Sequence, residues 1–389
     1  MKKLKFLQIH KFYTRYLNQF YQNHPKLINE SFNTQTNTLL SDGFSGIHLF
    51  SPYMKKLNYD AQFVVVNNIH SQQKWLSENN CLSINPKDPN YIYATTKYQI
   101  DKFQPDILYI TIPTDFDSQF IRTLSWKPSL IIGWRAASIY ESTDWSEFDI
   151  MLSSLSNLRD VAIKLGAKHV EHFFPGFPIH IHDIVKHIFP IYDVGFTGTW
   201  SEAQHLRRNY LLNHIAENAK ADSFPFSCGF YLSGQLDRLT SKVAKHHLGS
   251  RFGLSMYQSI RSAKIIFDAR ASHELINSYG KPGIDLAGSE TANMRIFEVT
   301  GCGSFLLTEH FENLNNFFEI GKEIETFHNE KDLIDKIRYY LEHPEQREII
   351  AQKGKERCLK QYSMENRAIE FDRIIRKYLV TKTESPSKK

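Results

Sequence analysis

The chain is poor in cysteine. Four occur in 389 residues, at 81, 228, 302 and 358, and no C-x-x-C pair is among them. That excludes a disulfide scaffold and the usual structural zinc spacings, and it fits a reducing compartment. No run of eighteen apolar residues is present. The start, MKKLKFLQIHKFY, lacks the apolar core and cleavage site of a signal peptide, so the expected location is the cytosol. Excess charge of one sign is scarce too: 47 Lys and Arg face 42 Asp and Glu, spread along the chain. A bias of +5 is too weak to indicate nucleic-acid binding, although it favours anionic ligands or membrane surfaces. The 17 histidines include a cluster at His169, His172, His180, His182 and His187, yet none falls into H-E-x-x-H or a Cys/His zinc spacing.

What is present in quantity is aromatic: 28 Phe and 19 Tyr, most of them expected in the core and a few free to stack on sugars. The length exceeds one ordinary core and implies two domains. Apolar runs at 4–9, 61–67, 104–113, 129–134 and 148–154 read as buried strands. The segments 11–21, 71–78 and 91–103 between them have helical spacing. PGFPIHIHDIVKHIFP, with three prolines, reads as a linker. Strands at 193–200, 223–230, 263–269 and 304–308 follow, with helices at 204–218, 255–262, 330–341 and 363–378. Alternating strands and helices imply parallel sheets covered on both faces. The tail 381–389, TKTESPSKK, is expected to be disordered.

The densest chemistry lies in SETANMRIFEVTGCGSFLLTE, residues 289–309. It reads as loop, helix from Met294, small-residue turn Gly301-Cys302-Gly303, and buried strand. Glu290 falls in the loop and Glu298 about two turns deeper. A helix N-terminus offers free N–H groups and a positive dipole end for a diphosphate, and a carboxylate beside it can accept from sugar hydroxyls. The stretch resembles the retaining GT-B glycosyltransferases that carry an E-x7-E motif. More closely it is similar to their CgeB-like, spore-maturation branch through Asn293, Arg295, Phe297, Glu298, Gly301 and Gly303. The likeness continues through FFEIGKEIETFHNEKDLIDKIRYYLEHPEQREIIAQKGKERCLKQYSMENRA. It is also visible in FYTRYLNQFYQNHP and LIIGWRAAS.

The resemblance implies two Rossmann-like domains facing across a cleft: 1–178 on the acceptor side, 190–362 for the nucleotide sugar, with the helix 363–380 crossing back to the first. It implies transfer of a sugar, with retention, from a nucleotide-diphosphate donor to an acceptor hydroxyl on a glycan, a lipid-linked glycan or a protein, with no cofactor beyond the donor. Since no metal spacing beyond TDFD is present, the transfer is expected to be metal-independent. Glu298 would hold the ribose and Glu290 a sugar hydroxyl, with Asn293, Arg295 and Gly303 completing the donor motif. A sugar-nucleotide binder without turnover, or an epimerase of similar fold, are the other readings. The first stays open because the Arg and Lys that the wider superfamily places after the strand 193–200 are absent, Thr199 and Trp200 standing there.

DVGFTGTW followed by a helix reads as a phosphate cradle, with Gly198 and Thr199 bringing N–H groups to the diphosphate and Arg207 or Arg208 neutralising it. His10 and Arg135 follow strands of the first half, where ligands of open α/β sheets sit, as acceptor contacts or a proton acceptor. Asp115 and Asp117 in TDFD form a D-x-D pair of the kind that binds a metal in the GT-A fold, or else favour a helix N-terminus. The aromatic helix 11–24 is expected either to pack in the core or to meet a membrane peripherally.

Overall fold

The computed structural model describes residues 3–81, 84–220, 224–291 and 293–384. The chain groups into two units: residues up to Phe174 with Glu274–Leu286 and the stretch from Met364, and Pro175–His273 with Ala287–Ser363.

Unit 1 is built on a six-stranded parallel sheet. Its strands are β1 (Lys5–His10), β2 (Asp60–Val65), β3 (Ile107–Ile110), β4 (Leu130–Trp134), β6 (Ile150–Ser153) and β7 (His169–His172), in the order β2-β1-β3-β4-β6-β7. The two-residue β5 (Ile139–Tyr140) lies outside it. β3, β4 and β6 are buried at every position, as continuous apolar runs covered on both faces must be. Helix α1 (Thr14–Asn23) follows β1. Its Tyr16, Leu17 and Phe20 are core, and of its aromatic neighbours only Tyr13 stands out, 62% exposed. The aromatic stripe is therefore packing, not a membrane face. The C-terminal helix, Met364–Glu384, lays Met364, Ala368, Phe371 and Ile375 at helical spacing into the core with Phe6, Phe50 and Tyr109. It continues four residues into the stretch expected to be a disordered tail; 385–389 lie outside the described residues.

Unit 2 holds a five-stranded parallel sheet of β8 (Tyr192–Trp200), β9 (Cys228–Gly234), β10 (Ala263–Asp268), β13 (Phe305–Glu309) and β14 (Glu325–Phe327), in the order β14-β13-β10-β8-β9. Helices α2 (Leu206–Asn218), α3 (Leu254–Arg261), α4 (Met294–Cys302), α5 (Glu330–Glu342) and α6 (Pro344–Gln361) surround it. The proline-rich stretch expected to be a linker groups with this unit from Pro175 on and contains a short helix, Ile179–Val185. Phe177 accounts for part of that: its N–H donates to the Tyr362 carbonyl at 2.6 Å, and its ring fills the space over Gly301. β9 starts later than expected, at Cys228. Pro225 has no N–H to offer a ladder, and Ser223 lies outside the described residues.

Between β10 and α4 the chain leaves unit 2. β11 (Glu274–Ile276) and β12 (Pro282–Asp285) pair antiparallel, and β11 pairs parallel with β5, forming a small sheet of unit 1. The segment GKPGIDLAGSE thus contains a strand. Its three glycines and one proline hide the extended backbone.

Candidate active site

The carboxyl edge of the unit 2 sheet gathers most of the predicted groups. β10 ends at Asp268, β13 runs through Thr308, and α4 begins immediately after Asn293. The Asn293 side chain caps the helix, Oδ1 accepting from the Ile296 N–H at 3.4 Å. Its Nδ2 donates to Asp268 Oδ2 at 2.8 Å, and the Thr308 hydroxyl donates to the same oxygen at 3.3 Å. In the first turn of α4, Arg295 Nη1 meets Glu298 Oε2 at 2.8 Å. Glu298 is 2% exposed and also takes a hydrogen bond from the fully buried Tyr257 of α3. Burial pushes the Glu298 carboxyl above its ordinary range and nearby Asp268 adds to that, while Arg295 and the Tyr257 hydroxyl pull the other way.

Glu290 lies in the loop before α4, half-buried. Its N–H donates to the Ala287 carbonyl at 2.9 Å, and its carbonyl accepts from the Arg270 guanidinium. Asn313 holds the next residue from both sides: Oδ1 accepts from the Thr291 N–H at 3.0 Å and Nδ2 donates to the Thr291 carbonyl at 2.7 Å. The loop that carries Glu290 is thus held by Arg270 at that residue and by Asn313 at the next.

The phosphate cradle at Gly198-Thr199 is not a turn. β8 continues through Trp200, with Gly198 opposite Leu232 and Thr199 opposite Ser233 of β9. β-branched and aromatic residues on two long neighbouring strands extend the ladder past the glycine. Glycine serves close packing there, since a Cβ at 198 would sit 2.7 Å from the Phe196 ring. Pairing with β10 stops at Gly195, so the last residues of β8 project beyond β10. Of the two arginines, Arg207 is held by Glu309 at 3.0 Å and by Glu330. Arg208 is buried, donates to the Thr199 carbonyl and lies over the Phe196 ring at 5.2 Å. Of this pair, Arg208 is the one tied to the end of β8.

Gly303 stands apart from this cluster. Helix α4 runs through Gly301 to Cys302, two residues past the expected stop, and Gly303 closes its far end in the left-handed conformation, φ 76°. Its carbonyl accepts from Arg261 Nη1 at 2.6 Å.

In unit 1, His10 is the last residue of β1 and 6% exposed. Nδ1 lies 2.7 Å from the Thr111 hydroxyl, which itself donates to the Ile9 carbonyl at 3.1 Å. Nδ1–H is therefore the donor and Nε2 the acceptor. Burial lowers the His10 pKa to about 3, with His48 contributing. Arg135 follows β4 and donates to the Ser138 carbonyl; burial lowers its pKa, against Asp115 and Tyr13. Asp115 pairs with Lys11 at 2.6 Å, and Asp117 caps the helix Ser118–Arg122, accepting from the Gln119 N–H at 2.9 Å. Both carboxylates of TDFD thus have local partners. Among the described residues no group of three or more His, Cys, Asp or Glu could hold a metal ion.

Asp268, Tyr257, Arg270 and Asn313 are not singled out by the sequence. Asp268 carries a usable signal there: it lies at the end of the strand AKIIFDA, the same position that singles out His10 in the other half. The other three are brought in by tertiary contact.

Residues 207–373 match the model of a family described as glycosyl transferase-like. A comparison with curated proteins gives no match. Among solved structures the chain is similar to a glycosyltransferase from Rickettsia africae at 12% identity, covering 97% of this chain and 99% of that one, TM-score 0.57. It is similar to HepE of Anabaena, solved with UDP-glucose, at 10% identity, 96% and 100% coverage, TM-score 0.58. It is also similar to S. aureus TarM, solved with UDP, fondaparinux and alpha-GlcNAc-glycerol, at 13% identity, 73% and 58% coverage, TM-score 0.51. The fold is GT-B, with two Rossmann-like domains.

Proposed function

We propose that this protein transfers a sugar from a nucleotide-diphosphate donor to an acceptor hydroxyl, with retention at the anomeric carbon and without a bound metal ion. The likeness to a protein solved with UDP-glucose supports a nucleotide-sugar donor. The observation that carries the reading is Glu298: a carboxylate buried at the carboxyl edge of a parallel sheet, held by Arg295 and Tyr257 beside Asp268. A carboxylate has about four acceptor sites, so two partners leave room for ribose hydroxyls. The N-terminus of α4, nine residues long, takes the diphosphate. Arg208 is the better cation for it, because the charge of Arg207 is spent on Glu309 and Glu330. Glu290, on its pinned loop, takes a sugar hydroxyl. His10 and Arg135 are the acceptor-side groups of this reading.

In the transfer the bond from C1 to the diphosphate oxygen breaks and the bond from C1 to the acceptor oxygen forms, through an oxocarbenium-like state. The acceptor proton passes to the departing diphosphate. His10, with its pKa near 3, is a weak base and serves as a hydrogen-bond acceptor through Nε2. Charge develops mainly on the leaving diphosphate, which in this reading helix N–H groups and Arg208 stabilise.

Calorimetry with UDP tests the central claim. Glu298→Gln removes a charged hydrogen bond worth about 1.5–3 kcal/mol, so affinity should fall about tenfold or more. Unchanged UDP binding would remove Glu298 from the site. Glu290→Ala should lower turnover strongly while UDP still binds; wild-type transfer rates would make Glu290 a plain loop residue.

A further inference from the structure

The amino edge of the unit 2 sheet carries a second feature, unrelated to the donor cluster. A depression of about 580 Å³ opens where β10 and β13 begin and where α3 and α4 end. Among the described residues five cations line it, Lys186, Arg261, Lys264, Arg347 and Lys355, and Glu348 is the one acidic residue in the lining. Asp183 and Asp193, just outside, pair with Lys186 and Lys264 at 2.9 and 2.8 Å. Arg347 stands 4.0 Å from Glu348. Arg261 spends its N–H groups on the carbonyls of Gly303 and Ile188, at 2.6 and 3.3 Å, and its Nε has no partner. Some of this charge answers the negative ends of α3 and α4. Five cations against three carboxylates exceed that need, and Arg347 is 8% exposed.

The rim beside this depression is apolar. Phe189 and Ile191 are 81% and 72% exposed, among the most exposed large apolar side chains of the described residues, and Ile184 is 47% exposed. Phe189 and Pro190 line the depression itself. Apolar side chains held out into solvent beside an excess of cations have the composition of a surface that seats in the headgroup region of an anionic bilayer. Charge complementarity selects that occupant over a neutral apolar partner. The placement also leaves the chemistry accessible: β10, six residues long, separates the depression from Asp268 by about 20 Å. No helix among the described residues is long and apolar enough to cross a membrane, so attachment of this kind would be peripheral.

We propose that unit 2 docks on anionic phospholipid membranes through the 184–191 rim, with lipid phosphates received by the basic depression behind it. Phe189 and Ile191 enter the headgroup boundary; Lys355, with the exposed Lys186 and Lys264, meets the phosphates.

Sedimentation of the full chain with vesicles tests this. Vesicles of phosphatidylcholine containing phosphatidylglycerol should pellet the protein, and raised salt should release it. Vesicles of phosphatidylcholine alone should not pellet it. Phe189→Ser combined with Ile191→Ser should abolish pelleting with Tm unchanged, because both side chains are exposed. Lys355→Glu should weaken partition about tenfold. Tyr13→Ser, which removes an exposed aromatic of unit 1, should change nothing. Failure to pellet with anionic vesicles overturns the proposal, as does pelleting that survives the double variant or is lost with Tyr13→Ser. Binding of inorganic phosphate without vesicle binding would also overturn it, assigning the depression to a soluble anion.

Discussion

The two parallel sheets end alike in the chain and differently in chemistry. At the carboxyl edge of unit 1 stands an imidazole, His10, kept neutral by burial and hydrogen-bonded to Thr111. At the carboxyl edge of unit 2 stand two buried carboxylates, Asp268 and Glu298, with Arg295 paired to Glu298. The same strand-end position therefore holds a neutral donor–acceptor in one unit and charged groups in the other. In the proposed reading a ribose needs carboxylate acceptors and a departing diphosphate needs helix N–H groups and a cation, while an acceptor hydroxyl needs only hydrogen-bond partners. The difference fits a donor side and an acceptor side, and it is open to test by removing charge from each edge in turn.

The largest effect is expected from Arg295→Ala. It leaves Glu298 buried without its cation, which costs about 3–5 kcal/mol of stability. Urea unfolding measures it. A loss under about 1 kcal/mol, the worth of an exposed pair, would mean that water reaches Glu298 and that unit 2 is not the charged edge.

The pH dependences of the two edges should have opposite signs. The His10 pKa is lowered from 6.5 to about 3 on folding, so below pH 6.5 the unfolded chain binds the proton and the folded chain does not. Its contribution is full above 6.5 and is lost as pH falls toward 3, by about 1.4 kcal/mol for each pH unit crossed between those two values. His10→Gln should flatten that slope in unfolding measured across acid pH. Glu298 is raised from 4.5, so the folded chain holds the proton above the unfolded value. Stability from that group is full below 4.5 and declines as pH rises through the folded value, and Glu298→Gln should remove the decline. Equal slopes in both variants would erase the contrast.

Asp115→Asn should have the smallest effect. Its ion pair with Lys11 is exposed, 35% and 46%, and such pairs contribute about 0–1 kcal/mol. Turnover should persist in chelator. Loss of activity restored by manganese would place a metal at TDFD.

Much of the scaffold is legible in the residues. The spacing of 91–103 gives that helix to the residue, and the apolar runs 61–67, 129–134 and 148–154 give their strands to within one or two residues at each end, because buried parallel strands are continuous apolar runs. The stretch 289–309 shows loop, helix and strand in the right order. Three things are not legible. The glycine in β8 suggests a turn, but its neighbours on β9 decide for strand. The proline-rich 175–190 looks like a linker, but Phe177 packs on Gly301. The aromatic helix near the start offers itself to a membrane, but its rings fill the core, while Phe189 and Ile191 stand in solvent.

The sequence by itself determined the alternation of strands and helices, the parallel sheets that follow from it, and the placing of Glu290, Asn293 and Glu298 around one helix start. These rest on spacings of a few residues, which local geometry fixes. Only the tertiary structure decided that Asp268 and Tyr257 join Glu298, that Arg208 rather than Arg207 reaches the end of β8, and that five cations from separate segments share one depression. Those outcomes depend on which strands become neighbours and which charges find partners, and contacts across long stretches of chain leave no periodic trace in the order of residues.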